Sequence, residues 1–163
     1  MAKLTLQKII ELLKEQGDAD EYMEALEVIT KLLECKDSTV ASNNSALILS
    51  TAGNVELFLD LLEHDDPLIG VMSSDILTLL HKLSPSQLEA AVQACPEGMN
   101  KLLNRLPDQS REEVRNQAII LVQQLTQTNE EMKKTVAFNE VKALLPPPLR
   151  FQHFNICMYS PLT

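Results

Sequence analysis

Val55-Glu56-Leu57-Phe58-Leu59-Asp60-Leu61-Leu62 carries the pattern that decides the fold. Val55, Phe58, Leu59 and Leu62 fall at i, i+3, i+4 and i+7, the spacing that lines one face of an α-helix. The same spacing stands earlier as Ile9…Leu12-Leu13. It returns later as Met99…Leu102-Leu103…Leu106 and Val141…Leu144-Leu145. The steps between copies are 46, 44 and 42 residues.

A helical motif recurring every ~40–47 residues has the period of HEAT or armadillo units. Longer helices obey the same rhythm, over 20–34, 67–83 and 111–127. Leu26, Ile29 and Leu33 recur as Ile76, Leu79, Leu80 and Leu83, then as Ala118, Leu121, Val122 and Leu125. Each has a start signal. Asp18 or Asp20 precedes the first, and Asp66-Pro67 opens the second with Asp at the cap and Pro just inside. Ser110-Arg111-Glu112-Glu113 reads as a capping box for the third. Shorter helices are expected after Ser86 and Asn129, while Ser42-Asn43-Asn44-Ser45 is poor helix sequence. Gly53 and Pro96-Glu97-Gly98 break the chain before the repeated motif. Three helices per unit with a Gly-marked turn favour armadillo over HEAT. The expected fold is therefore all-α, an armadillo-like right-handed helical solenoid of about three repeats over 1–145. One unit cannot bury its own leucines, so stacked units share the core. Pro146-Pro147-Pro148 ends the pattern. Residues 146–163 read as an irregular, Pro-rich, non-repeat tail, and the last unit would keep apolar surface exposed.

Composition agrees. The 163 residues are 45% hydrophobic with 28 leucines, no Trp and four Gly. That is too apolar for a disordered chain and too poor in Gly for an all-β fold of tight turns. No apolar run approaches the ~18 residues of a membrane span, so direct membrane insertion is not expected. The first residues lack a signal-peptide stretch, so a soluble cytosolic or nuclear helical protein is expected. Net charge is −9. Residues 1–66 hold 5 basic and 14 acidic side chains, and 67–163 hold 9 of each. A nucleic-acid backbone or anionic bilayer would be repelled. Cys35, Cys95 and Cys157 are odd in number and widely spaced, which suits idle thiols and neither a disulfide framework nor a zinc site.

Motifs for chemistry are missing: there is no phosphate-binding Gly loop, no HExxH and no GxSxG. His64-Asp65-Asp66 suits an interhelical loop and a cap, and His81 suits a helix C-terminus. No catalytic residue, metal or cofactor is expected. What remains is surface. In armadillo stacks the long third helices line a concave groove. The nuclear-import receptors of that fold carry a Trp and Asn ladder there. Here Val28, Thr78 and Ile120 take the Trp position, and Leu32, Lys82 and Gln124 the Asn position, so the ladder is missing. Candidate partner-binding residues on this face are Thr78, His81, Lys82, Arg115, Asn116, Gln123, Gln124 and Gln127. The same side chains suit a solvated helix face better than a specific binding site.

Ser110 to Glu140 is the most distinctive segment. It contains Val114-Arg115-Asn116, Leu121-Val122-Gln123-Gln124-Leu125-Thr126, Asn129, and Lys133-Lys134-Thr135-Val136-Ala137-Phe138-Asn139-Glu140. This resembles the armadillo-like globular head of the general vesicular transport factors, the long Golgi tethers of the Uso type, with Asn139-Glu140 in place of the family's Glu-Asn. The resemblance covers about 50–145. It implies a non-enzymatic scaffold in ER-to-Golgi and intra-Golgi transport, cytoplasmic or peripheral to Golgi membranes. Its implied partners are a Rab-type GTPase, Golgi tethering or SNARE components, and a second copy in a homodimer. The alternative is a generic armadillo adaptor, an Hsp70 co-chaperone or signalling scaffold.

Overall fold

The computed structural model describes residues 2–15 and 17–144. The 146–163 tail, Cys157 and Leu145 lie outside the described residues. The described chain is all-helical, with no strand among the described residues. In order run α1 (Ala2–Lys14), α2 (Ala19–Leu33), α3 (Ser38–Ser50), α4 (Asn54–Leu61), α5 (Pro67–Leu83), α6 (Pro85–Ala94), α7 (Gly98–Leu103), α8 (Glu112–Thr128) and α9 (Glu130–Leu144).

The cap chemistry explains most of the boundaries. Asp18 accepts from the Glu21 N–H and Glu21 reaches back to Asp18, a complete capping box for α2. Asp66 accepts from the Leu68 N–H at 2.9 Å, with Pro67 as first residue of α5. Asn129 accepts from the Met132 N–H at 3.1 Å and opens α9. Two expected caps differ. Ser86 lies inside α6, whose first residue is Pro85. Ser110 does not cap α8; its hydroxyl donates to Asp108 at 2.6 Å, and Arg111 stands at the N-cap without a side-chain bond. That pairing holds the Asp108 carboxyl below the usual carboxylate range.

α3 runs straight through the polar Ser42–Ser45 stretch. Asp37 starts it by accepting from the N–H groups of Thr39 and Val40. Its polar side chains then turn inward. Asn44 donates to the Leu32 carbonyl at 3.0 Å, and the fully buried Ser45 donates to the Ser84 hydroxyl at 3.1 Å. The weak pattern there reflects polar contacts in place of apolar ones. α9 is likewise unbroken from Glu130 through the motif at Val141–Leu144, so no turn separates them.

α5 is the hub: it packs on α2, on α8 and on α4. The short α4 and α7 form a second row in contact, and α3 touches α6. One apolar core joins them, from Leu6, Ile10 and Leu13 through Ile29, Phe58, Ile76 and Leu80 to Leu121, Leu125 and Met132. Ion pairs stitch α4 to the α7 region. Lys101 contacts Asp60, and Arg105 meets Glu63 at 3.0 Å. A hydrogen bond adds to them: Arg111, at the start of α8, donates to the His64 backbone carbonyl at 2.6 Å.

Candidate protein-interaction face

α5 buries Ile69, Ser73, Ile76 and Leu80, and α8 buries Val114, Ala118, Leu121 and Leu125, each 45 residues further on. The opposite side of each helix forms an open stripe by the same periodicity. On α5 it carries Leu68, Val71, Asp75, Thr78 and Lys82, none of them buried. On α8 it carries Glu113, Asn116, Ile120, Gln123 and Gln127, all exposed. The two helices are neighbours, and α2 continues the row with Glu24, Val28 and Lys31.

Of the eight sequence candidates, Thr78, Lys82, Asn116, Gln123 and Gln127 fall on this stripe. His81 is half-buried beside it. Arg115 is also half-buried; it donates to Asn116 at 3.5 Å and pairs loosely with Glu112 at 3.7 Å. Gln124 turns inward, and its carbonyl oxygen meets no donor among the described residues. The Thr78 hydroxyl donates to the Ser74 carbonyl of its own helix.

The register of α5 differs from the sequence reading by one turn. Leu79 and Leu83 are only half-buried, whereas Ser73 is fully buried and donates its hydroxyl to the Phe58 carbonyl at 2.7 Å. Matching buried positions puts Asp75, and not Thr78, level with Val28 and Ile120. Asp75 is thus the residue that sequence reasoning missed, because a lone carboxylate in a helix reads as solvated. Burial pushes the Asp75 carboxyl up, and the charges of Glu113 and then Glu34 push it further.

No family model matches the chain. It is 34% identical over 139 residues to Golgin candidate 6 of Arabidopsis thaliana, covering 80% of this chain and 15% of that protein. It is 33% identical over 99 residues to the general vesicular transport factor p115 of cattle and of human, covering 61% of the chain and 10% of each relative. The chain is a partial homologue of the general vesicular transport factors. It spans 15% or less of the length of these curated relatives.

Elsewhere the described residues offer little chemistry. Among the described residues no group of three or more His, Cys, Asp or Glu side chains could hold a metal. His64 accepts from the Asp66 N–H through Nδ1 at 3.0 Å and stacks edge-on to Tyr22 with ring centres 5.5 Å apart. That occupies it locally. Burial and the Glu56 carboxylate push the Cys95 thiol up, which makes it a poor nucleophile, while Cys35 is exposed. No described helix is long and apolar enough to cross a membrane. A hollow of about 850 Å³ runs between α3 and α6, off the stripe, and one of about 410 Å³ lies between α1 and α2 beside the exposed Leu12 and reaches Glu24 and Val28 at the edge of the row.

Proposed function

We propose that this protein is a non-enzymatic interaction scaffold of the vesicle-tethering type, acting at the periphery of Golgi membranes in ER-to-Golgi or intra-Golgi transport. The observation that carries this reading is the homology to a golgin and to p115 over most of the chain. The stacked long helices α2, α5 and α8 support an armadillo-like solenoid as the scaffold, with about three units sharing one core. The open stripe on α5 and α8, with Thr78, Lys82, Asn116, Gln123 and Gln127, is the surface we assign to the partner, flanked by His81, Arg115 and Gln124.

A Rab-type GTPase, Golgi tethering components or SNAREs are the partners this reading implies, with self-association into a homodimer as a further element of it. The test is affinity capture from cytosol on the immobilised 163-residue protein, with mass-spectrometric identification of what is retained. Specific recovery of a Rab GTPase or Golgi tethering components supports the reading. Recovery of Hsp70 with accelerated nucleotide release would replace it by a co-chaperone role.

A further inference from the structure

The stripe on α5 and α8 combines two features for which a merely solvated helix face has no use. Leu68 on α5 and Ile120 on α8 are large aliphatic side chains left 51% and 43% exposed. Asp75 stands on the same stripe, half-buried. Neither Asp75 nor Glu113 nor Glu34 makes an ion pair or side-chain hydrogen bond among the described residues. The nearby cations are engaged elsewhere, Lys31 with Glu27 and Arg115 with Glu112. Lys82 shares the stripe two turns from Asp75, about 10 Å along the axis, the same axial separation that the 45-residue register gives Glu113 toward the other end. The carboxylates come from three successive elements, the end of α2, α5 and the first turn of α8. Asp75 feels the charges of Glu113 and Glu34, yet the three do not gather tightly enough to hold a metal ion. That spread suits cations distributed along a chain and not a single ion.

We propose that this face docks a segment of a partner protein in which lysine or arginine side chains alternate with aliphatic ones at helical spacing. The cations meet Asp75, Glu113 and Glu34, and the aliphatic side chains cover Leu68 and Ile120. The inference rests on the reading of this stripe as the interaction face and adds the chemistry of the partner. Charge complementarity carries it. The free protein already holds the unpaired Asp75 partly out of water, with the exposed Glu113 and Glu34 adding to its repulsion, so an arriving cation relieves that repulsion. It does so at an effective dielectric nearer ~20 than the ~80 of bulk water. The excess negative charge lies in residues 1–66, which include α2 and Glu34 at the edge of the face, and draws a basic segment in at long range.

The experiment is fluorescence anisotropy with the full chain and labelled 18-residue helical peptides. One peptide carries Lys and Leu at i, i+3, i+4, and a second carries Glu in place of Lys. A third keeps the Lys and replaces Leu by Ser. The first should bind, more weakly as salt rises, while the second should not bind and the third should bind at least about tenfold more weakly. The double variant D75N/E113Q should lose about tenfold or more in affinity, while the charge-matched control E11Q/E15Q on and beside α1 should not. Thermal melts of both variants check that the fold is kept. Equal binding of the Glu peptide, or equal loss in the control, overturns the proposal. The underlying assignment of the stripe is read separately, by N116R/Q123R. If that variant abolishes capture of identified Golgi partners from cytosol while D75N/E113Q leaves it intact, the stripe stands and the basic-partner chemistry falls.

Discussion

At Asp75 the requirements of stability and of recognition oppose each other. Its pKa is raised in the folded chain by burial and by Glu113 and Glu34. The folded state therefore binds the proton more readily than the unfolded one, and stability falls as pH rises through that interval. The penalty is fully present at neutral pH and disappears below the unfolded value of ~3.9. Asp75→Asn should raise stability at pH 7 by a few tenths of a kcal/mol, at most about 1, since the site is only half out of water. Urea melts at pH 7 and pH 3.5 check this: the gain over wild type should close at the lower pH, and a gain independent of pH would refute the electrostatic account. Ser73 poses the complementary case. It fills a position that Leu26 and Ala118 hold in the neighbouring long helices, with its hydroxyl spent on the Phe58 carbonyl. Ser73→Ala should cost about 1 kcal/mol, and Ser73→Leu about 1–3 kcal/mol through overpacking, both read from chemical denaturation. This serine is also why sequence alone put α5 one turn out of register. Periodicity counts apolar letters, and a buried, satisfied hydroxyl is invisible to it.

Elements were legible in proportion to how far their signal is local. α2 and α5 begin where an aspartate can accept from the helix's own N–H groups, and nothing outside the segment is needed to see it. α3 was not legible, because Asn44 and Ser45 are helical through bonds to Leu32 and Ser84, partners 12 and 39 residues away. Ser110 shows the reverse error: a capping-box pattern that loses to Asp108, two residues back. Asp66→Ala should thus cost about 1 kcal/mol, while Ser110→Ala should change stability by less than about half that; equal losses would restore the capping box. The short helices α4 and α7 share a different device. Each follows a residue in the left-handed region, Gly53 at φ 82° and Glu97 at φ 56°. Glycine reaches that region freely and glutamate does not. Glu97→Gly should be neutral to stabilising by up to about 1 kcal/mol. The neighbouring Gly98→Ala should destabilise by more than that, because its Cβ would press on the Val92 carbonyl oxygen and on Cys95. Melting temperatures of the pair decide the point, and a tolerated Gly98→Ala would show that the turn can relax.

Among the described residues the long helices contact one another in a row, and the short ones link up beside them. α5 packs on α2 and on α8, α4 lies against α7, and Asn129 at the start of α9 bonds Glu89 and Gln93 of α6. A 42–46 residue step in leucines points to stacked units of the kind proposed above, and the contacts of α2, α5 and α8 are compatible with it. The partner face was less legible: helix spacing placed Thr78, Asn116 and Gln123 on it, but Asp75 gains its meaning only from Glu34 and Glu113, 41 and 38 residues away. If the proposed solenoid holds, stability is a sum of unit and interface terms, and opening starts where a unit has one neighbour in place of two. α5, with described helices on both sides and Ile69, Ile76, Leu77 and Leu80 wholly buried, should exchange its amide hydrogens slowest. α1, with Leu12 61% exposed, and α9, with Phe138 54% exposed, should exchange at least about tenfold faster, a gap of ~1.4 kcal/mol in local opening energy. Hydrogen–deuterium exchange followed by mass spectrometry reads this directly. Uniform protection from α1 to α9 would mean a single cooperative unit. Slowest exchange at α9 would mean that residues beyond Leu144 or a second copy of the chain cover that end of the stack.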